Sequence, residues 1–288
     1  MITHDTIPQY YDWLSRYVQL ANWLQYRDRF AGFTMHKTLA APSGGGAAAG
    51  LSYVNDHLLD VALPNLGPGR RVLDAGCGFG GTVFHWHRRA GGRYEGVTLS
   101  RVQCGVAQGE ARRRGVAEDC RFHLRSYDAP LDGTYDVIVA IESLIHAPDL
   151  CWTLKNLAGA LRPEGMLLVL DDMAEVGLDG ARPREAALLR AHWGCDPYPS
   201  AADYRDAIES SGLSLVAEED LSPLMRPRPP NVLDEAERRY TSLHHWLPAP
   251  PVRTVVSAYL GGIALERLHG TGDVCYRLLV GHNNEVAA

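Results

Sequence analysis

The chain has 288 residues, 46% of them hydrophobic and 22% charged, which is enough to bury the core of one large domain or of one domain with appendages. Its net charge of −6 argues against a nucleic-acid-binding protein, and it contains no run of about 20 apolar residues that would predict a membrane span. The six cysteines form no CxxC pair and the N-terminus lacks the features of a signal peptide, so we expect free thiols, no zinc site and a cytoplasmic protein.

Residues 1–60 are expected to form an N-terminal helical segment. Apolar groups recur at helical spacing between positions 8 and 30, which predicts an amphipathic helix. This helix packs on its own domain, forms a lid over an apolar or cationic substrate, or packs on a second copy in a homo-oligomer. Residues 42–50 read as a flexible hinge before a second helix over 51–63. The aromatic residues of this region are Tyr10, Tyr11, Trp13, Tyr17, Trp23, Tyr26, Phe30 and Phe33.

Strand-like and helix-like segments alternate from residue 71 onward, which predicts an α/β fold with a parallel sheet flanked by helices. The strand-like segments are 71–75, 94–98, 121–124, 135–141, 166–171, 213–217 and 274–280. The helix-like segments are 82–90, 101–114, 150–161 and 259–268. A proline-rich insertion at about 175–255, with candidate helices at 204–211 and 232–243, is expected to cap a substrate site.

A glycine-rich turn follows the first of these strands. Gly76, Gly78 and Gly81 have the G-x-G-x-x-G spacing that lets backbone N–H groups approach a nucleotide, and a helical pattern begins directly afterwards. A dinucleotide site also requires an acid at the end of the second strand. That strand ends in Thr98, which counts against NAD. An NAD-dependent oxidoreductase is therefore the weaker alternative.

The segment VLDAGCGFGG at 72–81 resembles motif I of the class I S-adenosylmethionine-dependent methyltransferases. The resemblance implies that Asp74 contacts the methionine amino group of the methyl donor, while the backbone at Gly76 and Gly78 holds its carboxylate end and ribose. An acid at a strand end also suits a ligand with an ammonium and a sulfonium group. We therefore expect S-adenosylmethionine as the cofactor, bound by a Rossmann-like core over 61–288 with a mostly parallel seven-stranded sheet, under an N-terminal helical lid.

The segment GVTLSRVQ at 96–103 resembles the corresponding part of cyclopropane-synthase-like C-methyltransferases. Most class I methyltransferases carry an acid here that binds both ribose hydroxyls. This sequence departs from that pattern, so we predict that Thr98, Leu99 and Gln103 contact the donor instead. Ser100 is expected to cap the following helix.

The end of the third strand is expected to bind the adenine. Ser126, Tyr127 and Asp128 match the adenine segment of the family. The resemblance implies that Tyr127 packs on the adenine face, with Asp128 or Ser126 near the exocyclic amine. Asp128 is equally explained as a turn residue.

The end of the fourth strand is expected to lie between donor and acceptor. The resemblance places Ile141 beside the methionine moiety. Glu142 and His146 are four positions apart, so one helical turn would put both on one side of the cavity. A carboxylate there can stabilise a developing cation, and a carboxylate or an imidazole can take a proton. We predict Glu142, His146 and the aromatic Tyr17 as catalytic residues.

The resemblance to C-methyltransferases implies that the small-molecule substrate is an isoprenoid or terpenoid alkene, methylated through a carbocation that aromatic faces and Glu142 stabilise. The nearest alternative is an O- or N-methyltransferase of a secondary metabolite, with His146 as the base, and another is a non-catalytic binding protein. Only a diphosphate substrate would call for Mg²⁺ and arginines, with Arg226 and Arg228 as candidates. Residues 34–36 (Thr-Met-His) occupy the place where, by the resemblance, relatives carry an aromatic segment next to the substrate, and they are a further candidate for substrate contact.

Overall fold

A seven-stranded sheet forms the centre of the molecule in a computed structural model, which describes residues 6–26, 33–40, 46–131, 133–246 and 249–284. The strands follow the order β3-β2-β1-β4-β5-β7-β6, and β7 alone among them runs antiparallel to its neighbours. This arrangement confirms the predicted mostly parallel sheet. The strands are β1 Arg71–Ala75, β2 Arg93–Thr98, β3 Cys120–Leu124, β4 Tyr135–Ile141, β5 Leu161–Ala174, β6 Ser214–Asp220 and β7 Val274–His282.

Helices cover both faces of the sheet. They are α1 Ile7–Tyr26, α2 Gly46–Ala62, α3 Gly81–Ala90, α4 Arg101–Arg114, α5 Leu150–Ala158, α6 Leu178–Ala181, α7 Pro183–Trp193, α8 Ala201–Ser210, α9 Pro230–Trp246 and α10 Pro250–Thr271. Ser100 caps α4 as predicted, since its side chain accepts a hydrogen bond from the backbone N–H of Gln103. None of the described helices is long and apolar enough to cross a membrane.

Two hydrophobic clusters fill the space between the sheet and its helices. Every residue of β4 is buried, as its continuous apolar run predicts for a strand covered on both faces. On one face, Trp86 of α3 and Leu58 of α2 belong to the larger cluster and are fully buried. On the other face, Leu154 of α5 and Tyr204 of α8 pack on the same sheet. Helices therefore pack on both faces of the sheet through buried apolar residues.

Three predicted boundaries are wrong. The helix predicted over 150–161 ends at Ala158, because Leu161 pairs with Tyr135 at the start of a longer β5. Residues 46–50 are helical and not a hinge, while 41–45 lie outside the described residues. The proline-rich stretch at 248–251 was expected to be irregular, yet α10 begins at Pro250, where proline fits a first helical turn.

The inserted region contains more helix than its sequence pattern predicts. It holds α7 and α9 as well as α8, and α7 has no predicted counterpart. A third hydrophobic cluster joins α7 to α10 through residues such as Leu189 and Leu265. Helices α7 and α10 thus pack against each other, whereas α8 packs on the sheet beside α5. The division into a lid over 1–60 and a core over 61–288 stays a prediction.

Helix α1 packs on the domain with one side and exposes the other. Ile7 and Tyr10 are buried, whereas Leu20, Trp23 and Leu24 are 56%, 41% and 61% exposed. That two copies of the chain associate through this helix stays a prediction. Phe30 and the side chain of Tyr26 lie outside the described residues.

Candidate active site

A cavity of about 350 Å³ lies where the carboxyl ends of β1, β2, β4 and β5 meet. Ligands of open α/β sheets bind at this edge, so the position agrees with the predicted site. Helix α1 covers the cavity with Ile7, Tyr10, Tyr11 and Leu14. Nine of the predicted site residues line it, namely Gly76, Gly78, Thr98, Leu99, Gln103, Tyr127, Ile141, Glu142 and His146.

The glycine turn approaches the neighbouring strand ends so closely that side chains do not fit. Gly76 has φ 100°, and a Cβ there would lie 2.4 Å from Cβ of Ser143. The backbone N–H groups of Gly76 and Cys77 both donate to the carbonyl of Val97 at the end of β2. Only glycine satisfies both the positive φ and the close contact. The turn is therefore fixed against β2 and β4, with open space in front of its backbone.

Asp74 is a buried acid behind this turn. It is 3% exposed and lines a small pocket together with Gly76, Gly78 and Thr82. Burial raises the pKa of Asp74 from 3.8 to about 7. A desolvated carboxylate is stabilised by a nearby cation, so the site fits the amino group of S-adenosylmethionine, as the sequence predicts.

The end of β2 and the first turn of α4 present a hydroxyl and an amide to the cavity. The Thr98 hydroxyl donates to Oε1 of Gln103 across 2.6 Å, and the Gln103 amide lies 3.3 Å from the Met35 sulfur. Thr98 and Gln103 are both buried and both line the cavity. This pair can exchange hydrogen bonds with ribose hydroxyls, and its binding role stays a prediction.

The predicted adenine segment is divided between the cavity and a turn. Tyr127 lines the cavity, and its hydroxyl donates to the carbonyl of Ser143 across 2.9 Å. Ser126 and Asp128 instead hydrogen-bond each other, and the second oxygen of Asp128 accepts from the Thr153 hydroxyl on α5. Asp128 therefore acts as a turn residue that anchors α5, which was the structural alternative from sequence.

Glu142 stands at the cavity wall in a strained conformation. Its φ is 49°, which is uncommon for a residue with a side chain. Its carboxylate accepts from the backbone N–H of Lys37 and from the Tyr276 hydroxyl, each at 2.8 Å. The Lys37 ammonium lies 3.4 Å from the same carboxylate. Three groups thus orient this carboxylate before any acceptor binds.

Lys37 also pairs with Asp172 at the end of β5, and Asp172 accepts from His269 on α10 across 2.8 Å. Burial alone would lower the pKa of Lys37, but Asp172 and Glu142 outweigh it and raise this pKa above its usual range. The ammonium is therefore a permanent charge that two carboxylates share. Sequence reasoning missed Lys37 and Asp172, although consecutive acids at the end of a buried strand are a signal that points to them.

Asp171, also missed, lies beside this cluster and lines the cavity. It accepts hydrogen bonds from the backbone N–H of Leu144 and from the Tyr204 hydroxyl, at 3.1 and 3.2 Å. Burial, followed by the charge of Asp172, raises the pKa of Asp171 to about 7. The floor of the cavity is therefore acidic, with Lys37 as its compensating cation.

The two other predicted catalytic residues lie in different places. His146 lines the cavity in a 3₁₀ turn, with its ring edge-on to Tyr11 at 5.7 Å. Tyr17 points elsewhere, since its hydroxyl lies 2.9 Å from the hydroxyl of Tyr259 at an exposed contact between α1 and α10. Tyr10 and Tyr11 are the aromatic residues of α1 that reach the cavity.

The arginines suggested for a diphosphate are not at the cavity. Arg226 donates to the carbonyls of Pro223 and Met225, and Arg228 pairs with Glu266 on α10, both at exposed positions. Within the described parts of the chain, no three His, Cys, Asp or Glu side chains are grouped so that they could hold a metal ion.

Residues 48–218 match the family of methyltransferase domains. The methyltransferase GfsG of Streptomyces halstedii is 34% identical over 175 residues, which are 57% of this chain and 60% of that protein. The O-methyltransferase rstn1 of Aspergillus nomiae is 30% identical over 157 residues, which are 53% of this chain and 68% of that protein. The chain thus spans about two thirds or less of the length of these relatives.

A solved structure of a geranyl diphosphate methyltransferase, in complex with geranyl diphosphate and sinefungin, has the same fold. Its TM-score is 0.73 at 23% identity, over 97% of this chain and 99% of that chain. The family match covers more than half of the sequence, and the glycine turn, the buried Asp74 and the sheet order agree with it. The chain belongs to the S-adenosylmethionine-dependent methyltransferases, with the class I fold.

Proposed function

We propose that the protein transfers the methyl group of S-adenosylmethionine to an alkene carbon of a small, largely apolar natural product of terpenoid type. The observation that carries this proposal is the composition of one cavity. It is lined by the glycine turn and the Thr98–Gln103 pair, which suit the donor, and also by aromatic residues of α1 and the Glu142 carboxylate, which suit the acceptor. The methyl donor and the acceptor can therefore bind next to each other in one cavity.

On the donor side, the chain binds S-adenosylmethionine and orients it. Asp74 provides a carboxylate for the amino group, the backbone of Gly76 and Gly78 faces the donor, and Tyr127 offers its ring to the adenine. S-adenosylmethionine supplies a methyl group that its sulfonium already activates, so alignment within the cavity is the main task of the protein. The apolar residues Ile7 and Leu14 of α1 restrict water at the reacting atoms.

On the acceptor side, the residues suit a reaction that creates positive charge. In alkene methylation the carbon–carbon bond forms as the sulfur–methyl bond breaks, S-adenosylhomocysteine leaves, and a carbocation remains until it loses a proton. Tyr10 and Tyr11 offer aromatic rings and Glu142 offers a fixed carboxylate beside the cation. Because its hydrogen bonds exist before the reaction, Glu142 stabilises the cation without reorganising.

The charge of the cavity favours a neutral isoprenoid over a prenyl diphosphate. Glu142, Asp171 and Asp172 line the cavity, and the Lys37 ammonium is already shared by two of them. Arg125 also lines the cavity, but its backbone lies beside Thr98, among the residues predicted to bind the donor. A diphosphate would be repelled by these acids unless cations accompanied it. Mg²⁺ therefore has no part in the proposed reaction.

O- or N-methylation is a second candidate, and one observation favours it. The imidazole of His146 lines the same cavity, where it can take a proton from a hydroxyl or an amine as the methyl group arrives. A relative named as an O-methyltransferase aligns with 53% of this chain. The two reactions require different residues, because the alkene reaction depends on Glu142 and the hydroxyl reaction on His146.

The test uses S-adenosylmethionine with a labelled methyl group and a panel of acceptors, read by mass spectrometry. The panel holds neutral isoprenoid alcohols, geranyl diphosphate, phenols and indoles. We expect carbon-linked label on a neutral isoprenoid, and a loss of about 100-fold or more in Glu142→Gln with a smaller loss in His146→Gln. Label found only on phenolic oxygen, with the losses reversed, supports the second candidate. Calorimetry that detects NADH but not S-adenosylhomocysteine contradicts both.

A further inference from the structure

Trp193, the last residue of α7, forms part of the cavity wall together with Ala258 of α10. Its indole N–H donates to the carbonyl of Ala258 across 3.2 Å. The hydrogen bond fixes the ring between the two helices and turns one side of it towards the cavity. Among the described residues, Trp193 is thus the residue of the inserted helices that lines the cavity, and Ala258 is the residue of α10 that does so.

Gly261 makes room for this indole. A Cβ on Gly261 would lie 2.3 Å from both Cδ1 and Nε1 of Trp193, a distance that atoms do not tolerate. The next residue, Gly262, would bring a Cβ to an ordinary contact distance of 3.9 Å from the far edge of the ring. The indole therefore occupies a space that exists because α10 lacks a side chain at this point. Truncation of Trp193 would join that space to the cavity.

Several apolar residues line the same cavity as Trp193. Ile7 and Leu14 of α1 line the cavity, as does Ile145, which also belongs to the hydrophobic cluster against which Trp193 packs. The charged cluster of Lys37, Glu142 and Asp172 lies at the strand ends instead. These residues therefore favour contact with a hydrocarbon group, because a polar group placed against them would lose its hydrogen bonds to water.

We propose that Trp193 sets the upper limit on the length of the hydrocarbon part of the acceptor. The inference rests on the proposed function in that it takes the acceptor to be a small apolar molecule. The indole forms one wall of the cavity, and the Ala258 carbonyl and the close approach of Gly261 hold it in place. A longer acceptor meets the ring, whereas a shorter one leaves apolar surface unfilled.

The experiment measures binding rather than turnover, so that its failure differs from a failure of the proposed reaction. Hexanol, octanol, decanol, dodecanol and tetradecanol are titrated calorimetrically into the full chain saturated with S-adenosylhomocysteine. In the wild type we expect affinity to rise about fourfold for each buried methylene until a limiting chain length, and to stop rising beyond it. In Trp193→Ala the limit moves to the next longer alcohol or further, and Trp193→Phe lies between the two.

Ala258→Leu tests the same wall from α10 without removing the indole, and it remains informative if Trp193→Ala does not fold. It should move the limit to a shorter alcohol. Trp246→Ala is the matched control, because this tryptophan is 74% exposed, and it should leave the limit unchanged. Affinity for S-adenosylhomocysteine should stay within about twofold in all variants, since none of these side chains belongs to the predicted donor residues.

The proposal is overturned if the wild type shows no limiting length, or if the limit stays the same in both Trp193→Ala and Ala258→Leu. It is also overturned if no alcohol binds at all. A limit that moves as expected, in a protein that transfers no methyl group to any acceptor of the panel, supports the role of Trp193 and contradicts the proposed reaction.

Discussion

The backbone N–H of Lys37 donates a hydrogen bond to Oε1 of Glu142 across 2.8 Å, and the ammonium of the same lysine lies 3.4 Å from Oε2. One residue of the segment 33–40 thus holds both oxygens of a carboxylate at the end of β4. The ammonium also binds Asp172 at the end of β5 and lies 5.0 Å above the ring of Tyr276. Lys37 therefore ties a segment near α1 to two central strands, at the side of the cavity where we place the acceptor.

Replacement of Lys37 by Met should lower the free energy of unfolding by about 3 kcal/mol, because Asp172, only 3% exposed, would keep a buried charge without its main partner. Urea unfolding monitored by circular dichroism measures the change. Methyl transfer should fall more than donor binding does, since Glu142 loses its contact with the ammonium while the glycine turn is untouched. Lys37→Arg, which keeps the charge, is the matched control and should retain most of the stability.

A double variant separates the buried charge from a loss of packing. Lys37→Met combined with Asp172→Asn removes the unpaired carboxylate, so we expect it to recover at least about 1 kcal/mol relative to Lys37→Met. A double variant that is less stable than either single variant would contradict the ion pair as the reason for the effect.

Asp74 should make the stability of the ligand-free protein depend on pH. Burial raises its pKa from 3.8 to about 7, so the folded chain holds this proton to a higher pH than the unfolded chain does. The resulting stabilisation is present at low pH and is lost as the pH rises from about 4 to about 7. Asp74→Asn should thus stabilise the protein near pH 8, by on the order of 2 kcal/mol, while it weakens donor binding.

Thermal unfolding across this pH range and calorimetry with S-adenosylhomocysteine check both effects. Asp171→Asn is the control for the pH slope, because burial raises the pKa of Asp171 to about 7 as well, yet this acid lies with the acceptor cluster. Asp171→Asn should reduce the dependence of stability on pH without weakening the binding of S-adenosylhomocysteine. Equal donor affinity in wild type and Asp74→Asn would show that Asp74 does not hold the amino group.

The sequence was sufficient to predict the parallel sheet and the methyltransferase family, because these depend on local signals. Alternating strand and helix patterns predict the sheet, and the spacing of Asp74, Gly76 and Gly78 lies within one turn. The acceptor side depends on contacts between distant segments. Lys37 and Asp172 are 135 positions apart, and nothing in the local pattern of either residue indicates the other.

The same reasoning explains the residues that were misplaced or missed. Asp128 stands two positions after Ser126, and its role as a turn residue follows from a side-chain hydrogen bond that a motif match does not reveal. Tyr17 shares a helix with Tyr10 and Tyr11, but the helix rotates it towards Tyr259. Trp193 was missed although α7 has a single proline, at its first position, and consists mostly of the helix formers Ala, Leu, Arg and Glu.

The Thr98–Gln103 pair should contribute to donor binding in place of an acid. Thr98→Val removes the hydroxyl that donates to Gln103 and leaves the buried Oε1 of Gln103 without this donor, so the affinity for S-adenosylhomocysteine should fall about tenfold. Gln108→Ala is the matched control on the same helix, since its amide donates to the carbonyl of Phe122. Calorimetry on the two variants measures the difference. A loss in Gln108→Ala as large as that in Thr98→Val would mean that α4 as a whole, and not the pair, supports the donor.

Asp12 should keep α1 closed over the cavity. Its carboxylate accepts from the Ser100 hydroxyl at 2.5 Å and from the backbone N–H of Val102 at 3.2 Å, so an acid of α1 sits at the positive N-terminal end of α4. Asp12→Ala should free α1 at a cost of about 1 kcal/mol, because it removes a charged partner from the first turn of α4.

The loss of the Asp12 carboxylate should increase the motion of α1 and, as a consequence, weaken the binding of S-adenosylhomocysteine. Hydrogen–deuterium exchange in α1 should become several-fold faster in Asp12→Ala, and the affinity for S-adenosylhomocysteine should fall, because Tyr10 and Tyr11 no longer close the cavity. Gln9→Ala, at an exposed position of the same helix, should change neither quantity. Unchanged exchange in Asp12→Ala would show that α1 is held by its apolar side alone, through buried residues such as Ile7 and Tyr10. Faster exchange with an unchanged affinity for S-adenosylhomocysteine would show that α1 does not contribute to donor binding. Helix α1 would then have a role only in acceptor binding.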